Sequence, residues 1–173
     1  RIAWHHNTDG QGSFRQESTI DTQGDGTRSI VAVDLDSDGD NDVLVAQNIE
    51  DRIAWYENTD GNGTFGTNET ITAGVTDAQA VFPADLDGDG DQDIVSGGGN
   101  VLEGLIGWQE NTDGNATFRT MDVITNDVTN VRSVFAADLD GDGDPDVLAA
   151  VAGSDQIAWF ENLLGENGTF GFG

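Results

Sequence analysis

The chain has no cysteine and no lysine, and only two prolines, one methionine and one tyrosine in 173 residues. Without cysteine there is no disulfide and no thiol nucleophile, and cysteine usage says nothing about redox compartment. Six arginines stand against 33 acids, for a formal charge of −27. Such a chain is repelled by nucleic acid and by anionic membrane surfaces, so neither is expected as a partner. There is no signal peptide and no apolar run of membrane-spanning length, so membrane insertion is not expected. No stretch shows a helical hydrophobic period. The two histidines, His5 and His6, are adjacent. Neighbouring strand positions face opposite ways, so they are read as surface residues rather than a ligand pair. No Ser–His–Asp set stands in a supporting motif, and the chain is expected not to be an enzyme. Paired carboxylates abound, and sequence leaves a glycosidase-type pair open, but their spacing is that of an ion loop.

What is present in quantity is aspartate, and it is concentrated. Nine residues, Asp34-Leu35-Asp36-Ser37-Asp38-Gly39-Asp40-Asn41-Asp42, return at 85–93 and again at 138–146, each copy with five aspartates. Fifteen of the 33 acids lie there. A turn so charged repels itself unless a cation sits in it. Oxygen ligands at alternating positions suit a hard ion with six to eight ligands, Ca²⁺ before Mg²⁺. Positions one, three, five and nine offer carboxylates, position seven its carbonyl, and the glycine at position six permits the turn. An EF-hand would need glutamate at position twelve and then a helix. Val45, Ser96 and Ala149 stand there instead, inside short apolar runs (42–46, 93–96 and 146–150) that read as buried strands. Similar runs precede the loops at 29–33, 79–82 and 133–136. Each loop is therefore expected to join two strands of a hairpin around an ion.

The loops begin at 34, 85 and 138, steps of 51 and 53 residues, and a second motif keeps the same beat. It is Ile2-Ala3-Trp4, Ile53-Ala54-Trp55, Ile106-Gly107-Trp108 and Ile157-Ala158-Trp159. Asn-Thr-Asp-Gly follows at 7–10, 58–61 and 111–114, with Phe14, Phe65 and Phe118 beyond it. Asp-Gly is a hairpin-turn signal, and a further strand is expected to start at the Thr-Phe that follows. The last copy departs: Asn162-Leu163-Leu164-Gly165-Glu166 replaces the turn, and Phe170 lies eleven residues after Trp159. One unit thus reads as four strands in about fifty residues, the size of a propeller blade. Residues 1–27 supply the last two strands of a partial blade. Blades at 28–78 and 79–131 follow, and 132–173 is one cut short at its C-terminal end. The chain opens in the middle of a repeat, from which a longer parent protein is expected.

The loops and their spacing resemble the FG-GAP/VCBS repeats of integrin α-subunits and of many secreted microbial and algal proteins. The resemblance implies an all-β fold of four-stranded propeller blades with Ca²⁺ in hairpin loops on one face, and a mostly non-catalytic role. Carried over residue by residue, it implies three Ca²⁺ sites. The ligands are Asp34, Asp36, Asp38, Asp40 through its carbonyl, and Asp42; Asp85, Asp87, Asp89, Asp91 through its carbonyl, and Asp93; and Asp138, Asp140, Asp142, Asp144 through its carbonyl, and Asp146. Three such ions would bring the formal charge from −27 to −21. Propellers close with at least about four blades. About three and a half repeats are therefore expected to be a segment of a longer ring, one of several assembling copies, or an open array.

Trp4, Trp55, Trp108 and Trp159 have two readings, a sugar-stacking platform or packing between sheets. Asn62, Asn68, Asn115 and Asn167 head N-glycosylation patterns. The chain as a whole is expected to be an extracellular, Ca²⁺-stabilised scaffold of structural or adhesive role, one form of which is a glycan-decorated filament. Its expected partners are further blades of a parent, copies of itself, or extracellular protein or glycan ligands. A lectin-like propeller and an accessory domain of a polysaccharide-degrading enzyme are the alternatives.

Overall fold

The computed structural model describes residues 1–164, with 169–170 as backbone. Asn167 and most of the last turn lie outside the described residues. Among the described residues there are fifteen strands, and they form antiparallel sheets. The first sheet pairs β1 (Ile2–Trp4) with β2 (Ser18–Asp21). The second is a four-stranded meander, β3 (Thr27–Val33), β4 (Asp42–Gln47), β5 (Arg52–Tyr56) and β6 (Glu69–Ala73). The third repeats it with β7 (Ala78–Ala84), β8 (Asp93–Gly99), β9 (Gly104–Gln109) and β10 (Asp122–Thr125). The fourth has β11 (Val131–Ala137), β12 (Asp146–Val151) and β13 (Gln156–Phe160), and a short pair, β14 (Asn162–Leu163) and β15 (Thr169–Phe170), follows it. The protein is all-β, a tandem of propeller-type blades in an open array.

The sheets stack face to face. β7 packs against both β3 and β11, so the first strands of the blades lie side by side. The second strands of the two full blades, β4 and β8, each lie between two neighbouring sheets, and this is why their sequences run apolar without alternation and both are buried along their whole length. β3, with less cover, alternates half-buried and exposed residues. Leu44, Ile53, Trp55, Val75, Val81 and Ile94 form one inter-sheet cluster. Val95, Ile106, Trp108, Val131, Val147 and Phe160 form the next. The sheet interfaces, not any single sheet, are the core.

Two expectations need correction. The fourth strand does not start at Thr-Phe. Phe14, Phe65 and Phe118 each make an isolated bridge, to Asn7, Asn58 and Asn111, and the outer strands begin later, at Ser18, Glu69 and Asp122. In the first full blade the chain leaves the ladder after Gly66, where Asn68 turns its amide to the Tyr56 hydroxyl (3.3 Å). β8 also runs past Ser96 through three glycines. A Cβ on Gly97 would fall 2.8 Å from methyls of both Val131 and Val134, so the bare backbone is what admits β11.

Candidate metal centres

Each aspartate loop joins the first strand of a blade to the second, in hairpin register: Val33 faces Asp42, Ala84 faces Asp93 and Ala137 faces Asp146. Within the loop, short side chains hold the turns. Asp36 Oδ1 accepts from Asp38 N (3.3 Å) and Asp38 Oδ1 from Asp40 N (2.8 Å). The second and third loops repeat this pair at 3.2 and 2.9 Å, and at 3.1 and 3.0 Å. The position-six glycines, Gly39, Gly90 and Gly143, have φ of 95°, 99° and 105°, a region that glycine alone enters without strain. At position four Gly88 and Gly141 are also left-handed, and Ser37 is forced there with φ 60°.

Position nine is buried and bonded through both carboxylate oxygens. Asp42, Asp93 and Asp146 are at most 1 % exposed. Asp93 Oδ2 accepts from Leu86 N (2.9 Å), and its Oδ1 accepts from Asn111 N (2.8 Å). Asp42 does the same with Leu35 and Asn58, and Asp146 with Leu139 and Asn162. One carboxylate thus pins the start of its own loop to the far end of the blade's third strand. Burial pushes the carboxyl of Asp42 up to about 6 and that of Asp93 up to about 7, against the pull of those N–H donors. Burial likewise raises Asp36 and Asp87, helped by neighbouring loop aspartates.

Carboxylate oxygens of Asp34, Asp36 and Asp42 lie within 4.8 Å of one another, as do those of Asp85, Asp87 and Asp93, and those of Asp138, Asp140 and Asp142. Oxygens around one Ca²⁺ at 2.3–2.6 Å are at most about 5 Å apart, so each group fits a single hard cation. Asp34 Oδ1 adds a specific sign: it is buried and has no hydrogen-bond partner in the chain. A buried carboxylate oxygen left so is costly unless it is ligated. A cation here would be held by these carboxylates and would supply the positive charge that lets them share one turn. Asp38, Asp40, Asp89, Asp91 and Asp144 lie in the same turns but outside these closest groups, and Asp146, which sits at position nine, is replaced by Asp142 in the third. Every aspartate of the third loop from Asp138 to Asp144 is exposed, since no described sheet covers that side.

The second and third Asn-Thr-Asp-Gly turns lie against the loops. A Cβ on Gly61 would fall 2.4 Å from the Asp40 carboxylate, and one on Gly114 2.5 Å from Asp91. Asp60 caps its own turn, accepting from Asn62 N (2.9 Å) and Thr64 N (3.1 Å), which holds its pKa below the usual value. Asn62 and Asn115 are exposed beside the loops, and Asn68 is half-buried.

Trp55 and Trp108, at 6 % and 5 % exposure, fill the clusters between sheets, which is the packing role that the sequence left open. Trp159 is half-buried, with its indole Nε1 buried and unbonded. Trp4 stacks on His6 at 5.7 Å and lines a cleft of about 490 Å³ with Asn58, Asn62 and Phe65. His5 is exposed, its Nδ1 3.3 Å from Arg15 O.

The residues that sequence reasoning passed over are Asn58, Asn111 and Asn162. Motif and spacing place them in turns, yet all three are at most 7 % exposed. Asn111 Nδ2 donates to Leu35 O (3.0 Å) in the loop of the preceding blade, and Asn162 Nδ2 to Leu86 O (2.7 Å). The signal was in the departing last copy, where the Thr-Asp-Gly is gone but the asparagine three residues after tryptophan stays.

No curated protein matches the chain. A family model described as FG-GAP-like repeat matches residues 1–45, 34–96 and 98–149. Each matched stretch ends inside the strand that follows an aspartate loop, at β4, β8 and β12. Motif, spacing, blade topology and loop geometry agree with that match, and the chain belongs to the FG-GAP-like repeat family.

Proposed function

We propose that this is an extracellular, Ca²⁺-stabilised repeat scaffold with a structural or adhesive role, assembling into a glycan-decorated filament. The observation that carries the reading is the repetition of one acidic loop per blade, each with its carboxylates converging and its last aspartate buried and tied to the sheet. Three Ca²⁺ ions, one per loop, are the number the repeat supports. The loops sit where an ion sets the angle between first and second strand, and so shape rather than chemistry is what it would control. Calcium is plentiful outside cells, and FG-GAP repeats are typical of extracellular proteins. Among the described residues no helix is long and apolar enough to cross a membrane.

Glycans fit the same reading. Asn62 and Asn115 stand exposed on turns that abut the ion loops, so attached sugars would line the loop edge of the array. Exposed Phe135, Leu139 and Ile157 on the last blade offer apolar surface to a further blade or to another copy. The test is negative-stain imaging of the natural material in Ca²⁺ and in chelator, with glycosidase treatment followed by mass spectrometry. Ordered assemblies that fall apart in chelator, and a mass loss on treatment, support the proposal. Monomers in both conditions and no mass loss contradict it.

A further inference from the structure

The asparagines that bridge blades also bridge ion loops. Asp42 Oδ2 accepts from Leu35 N, and Leu35 O accepts from Asn111 Nδ2. Asn111 N donates to Asp93 Oδ1, and Asp93 Oδ2 accepts from Leu86 N. Leu86 O accepts from Asn162 Nδ2, Asn162 N donates to Asp146 Oδ1, and Asp146 Oδ2 accepts from Leu139 N. An unbroken relay of buried or half-buried hydrogen bonds, none longer than 3.1 Å, therefore runs through all three loops. Leu35 and Leu86 are 1 % exposed and Asn111 and Asn162 at most 2 %, so water does not compete for these groups.

We propose that Asn111 and Asn162 are positioning residues that make Ca²⁺ binding cooperative between neighbouring loops, and only between neighbours. The proposal rests on the calcium reading above. Position two of a loop lies between two ion-facing aspartates, and its carbonyl direction follows the loop's shape. A loop shaped by its ion presents that carbonyl to the asparagine of the next blade. The same asparagine holds, through its own N–H, the position-nine aspartate of the next loop. Filling one loop thus orders a ligand of the next before its ion arrives. Because the linkage is a binding equilibrium, it is reciprocal. Asn162 Nδ2 also donates to Pro145 O of its own loop (3.1 Å), as Asn58 Nδ2 does to Asn41 O (3.2 Å); for Asn58 no described loop precedes it to receive the bridging bond.

The test uses the whole chain with loops silenced by paired substitutions that leave position nine intact. The pairs are Asp36→Asn with Asp38→Asn, Asp87→Asn with Asp89→Asn, and Asp140→Asn with Asp142→Asn. Calorimetric Ca²⁺ titration gives the binding constant of each single-loop chain and the overall constant of each two-loop chain. Coupling is the overall constant divided by the product of the two single constants. The expected coupling is about 5-fold for the first and second loops and for the second and third, at the low end of typical allosteric couplings, and close to one for the first and third. Asn111→Ala removes coupling between the first and second loops and leaves that between the second and third. A general loss of stability would not be so selective. Should Asn111→Ala fail to fold, the three two-loop chains still decide. Equal coupling in all three pairs, or none in any, overturns the proposal while leaving calcium binding in place. Absence of Ca²⁺ binding to every single-loop chain overturns the calcium reading itself.

Discussion

Asp93 accepts two backbone N–H groups in the interior, from Leu86 and Asn111, and so a single side chain closes both ends of a turn. Asp93→Ala leaves both donors buried without partners. At about 1–3 kcal/mol for each stranded group, the variant is expected to lose about 2–6 kcal/mol in urea unfolding, with or without Ca²⁺. The same residue gives the ion-free protein an unusual response to pH. A carboxyl whose folded value is raised, to about 7 for Asp93 and about 6 for Asp42, binds its proton more tightly folded than unfolded. The stability it contributes is full below the ordinary carboxyl value and is lost as pH rises through 6 to 7. The melting temperature of the stripped protein is therefore expected to fall from pH 4.5 to pH 7.5. With Ca²⁺ bound the carboxylate form is favoured and the melting temperature is expected to rise over the same range. A stripped protein that gains stability with pH would contradict the burial described for these groups.

At the scale of the element, the loop is a turn whose backbone demands are met unevenly. Gly88 and Gly141 occupy position four at left-handed φ without cost, and Ser37 occupies it with φ 60°. Ser37→Gly is expected to stabilise the first loop by up to ~1 kcal/mol, because strain in that region costs about 1–2 kcal/mol and glycine gives back part of the gain in the unfolded chain. Unfolding in urea reads it, and a loss of stability would show that Ser37 makes a contact worth more than its strain. The strands were legible because one face or both must be apolar: the uninterrupted runs after the first two loops announced burial on both sides, which β4 and β8 have. The glycines of β8 were not legible, since only the approach of Val131 and Val134 shows why a strand needs them. Gly97→Ala is expected to cost about 1–3 kcal/mol by overpacking that interface, measured against the parent in the same unfolding experiment. The acidic hairpin loops were legible from residue type and spacing alone, while the asparagine bridges were not. A buried amide that spans two blades looks, in sequence, like any polar residue in a turn.

In the whole molecule, sheets with a formal charge of −27 stack without a single lysine. Apolar clusters between blades supply the attraction, and the loop edge gathers much of the repulsion. Fifteen aspartates lie in three turns, and on the proposed reading cations neutralise them so that the edge holds its shape. With free Ca²⁺ at about ten times its dissociation constant each site adds about 1.4 kcal/mol, and three add about 4 kcal/mol. For a chain of this size that corresponds to about 8–16 °C in melting temperature. The most direct measurement is the number of Ca²⁺ ions bound per chain, by calorimetry, together with the thermal melt in Ca²⁺ and in chelator. Three ions bound and a melt lowered by about 10 °C in chelator are expected. No bound ion, or superimposable melts in the two conditions, would contradict the account.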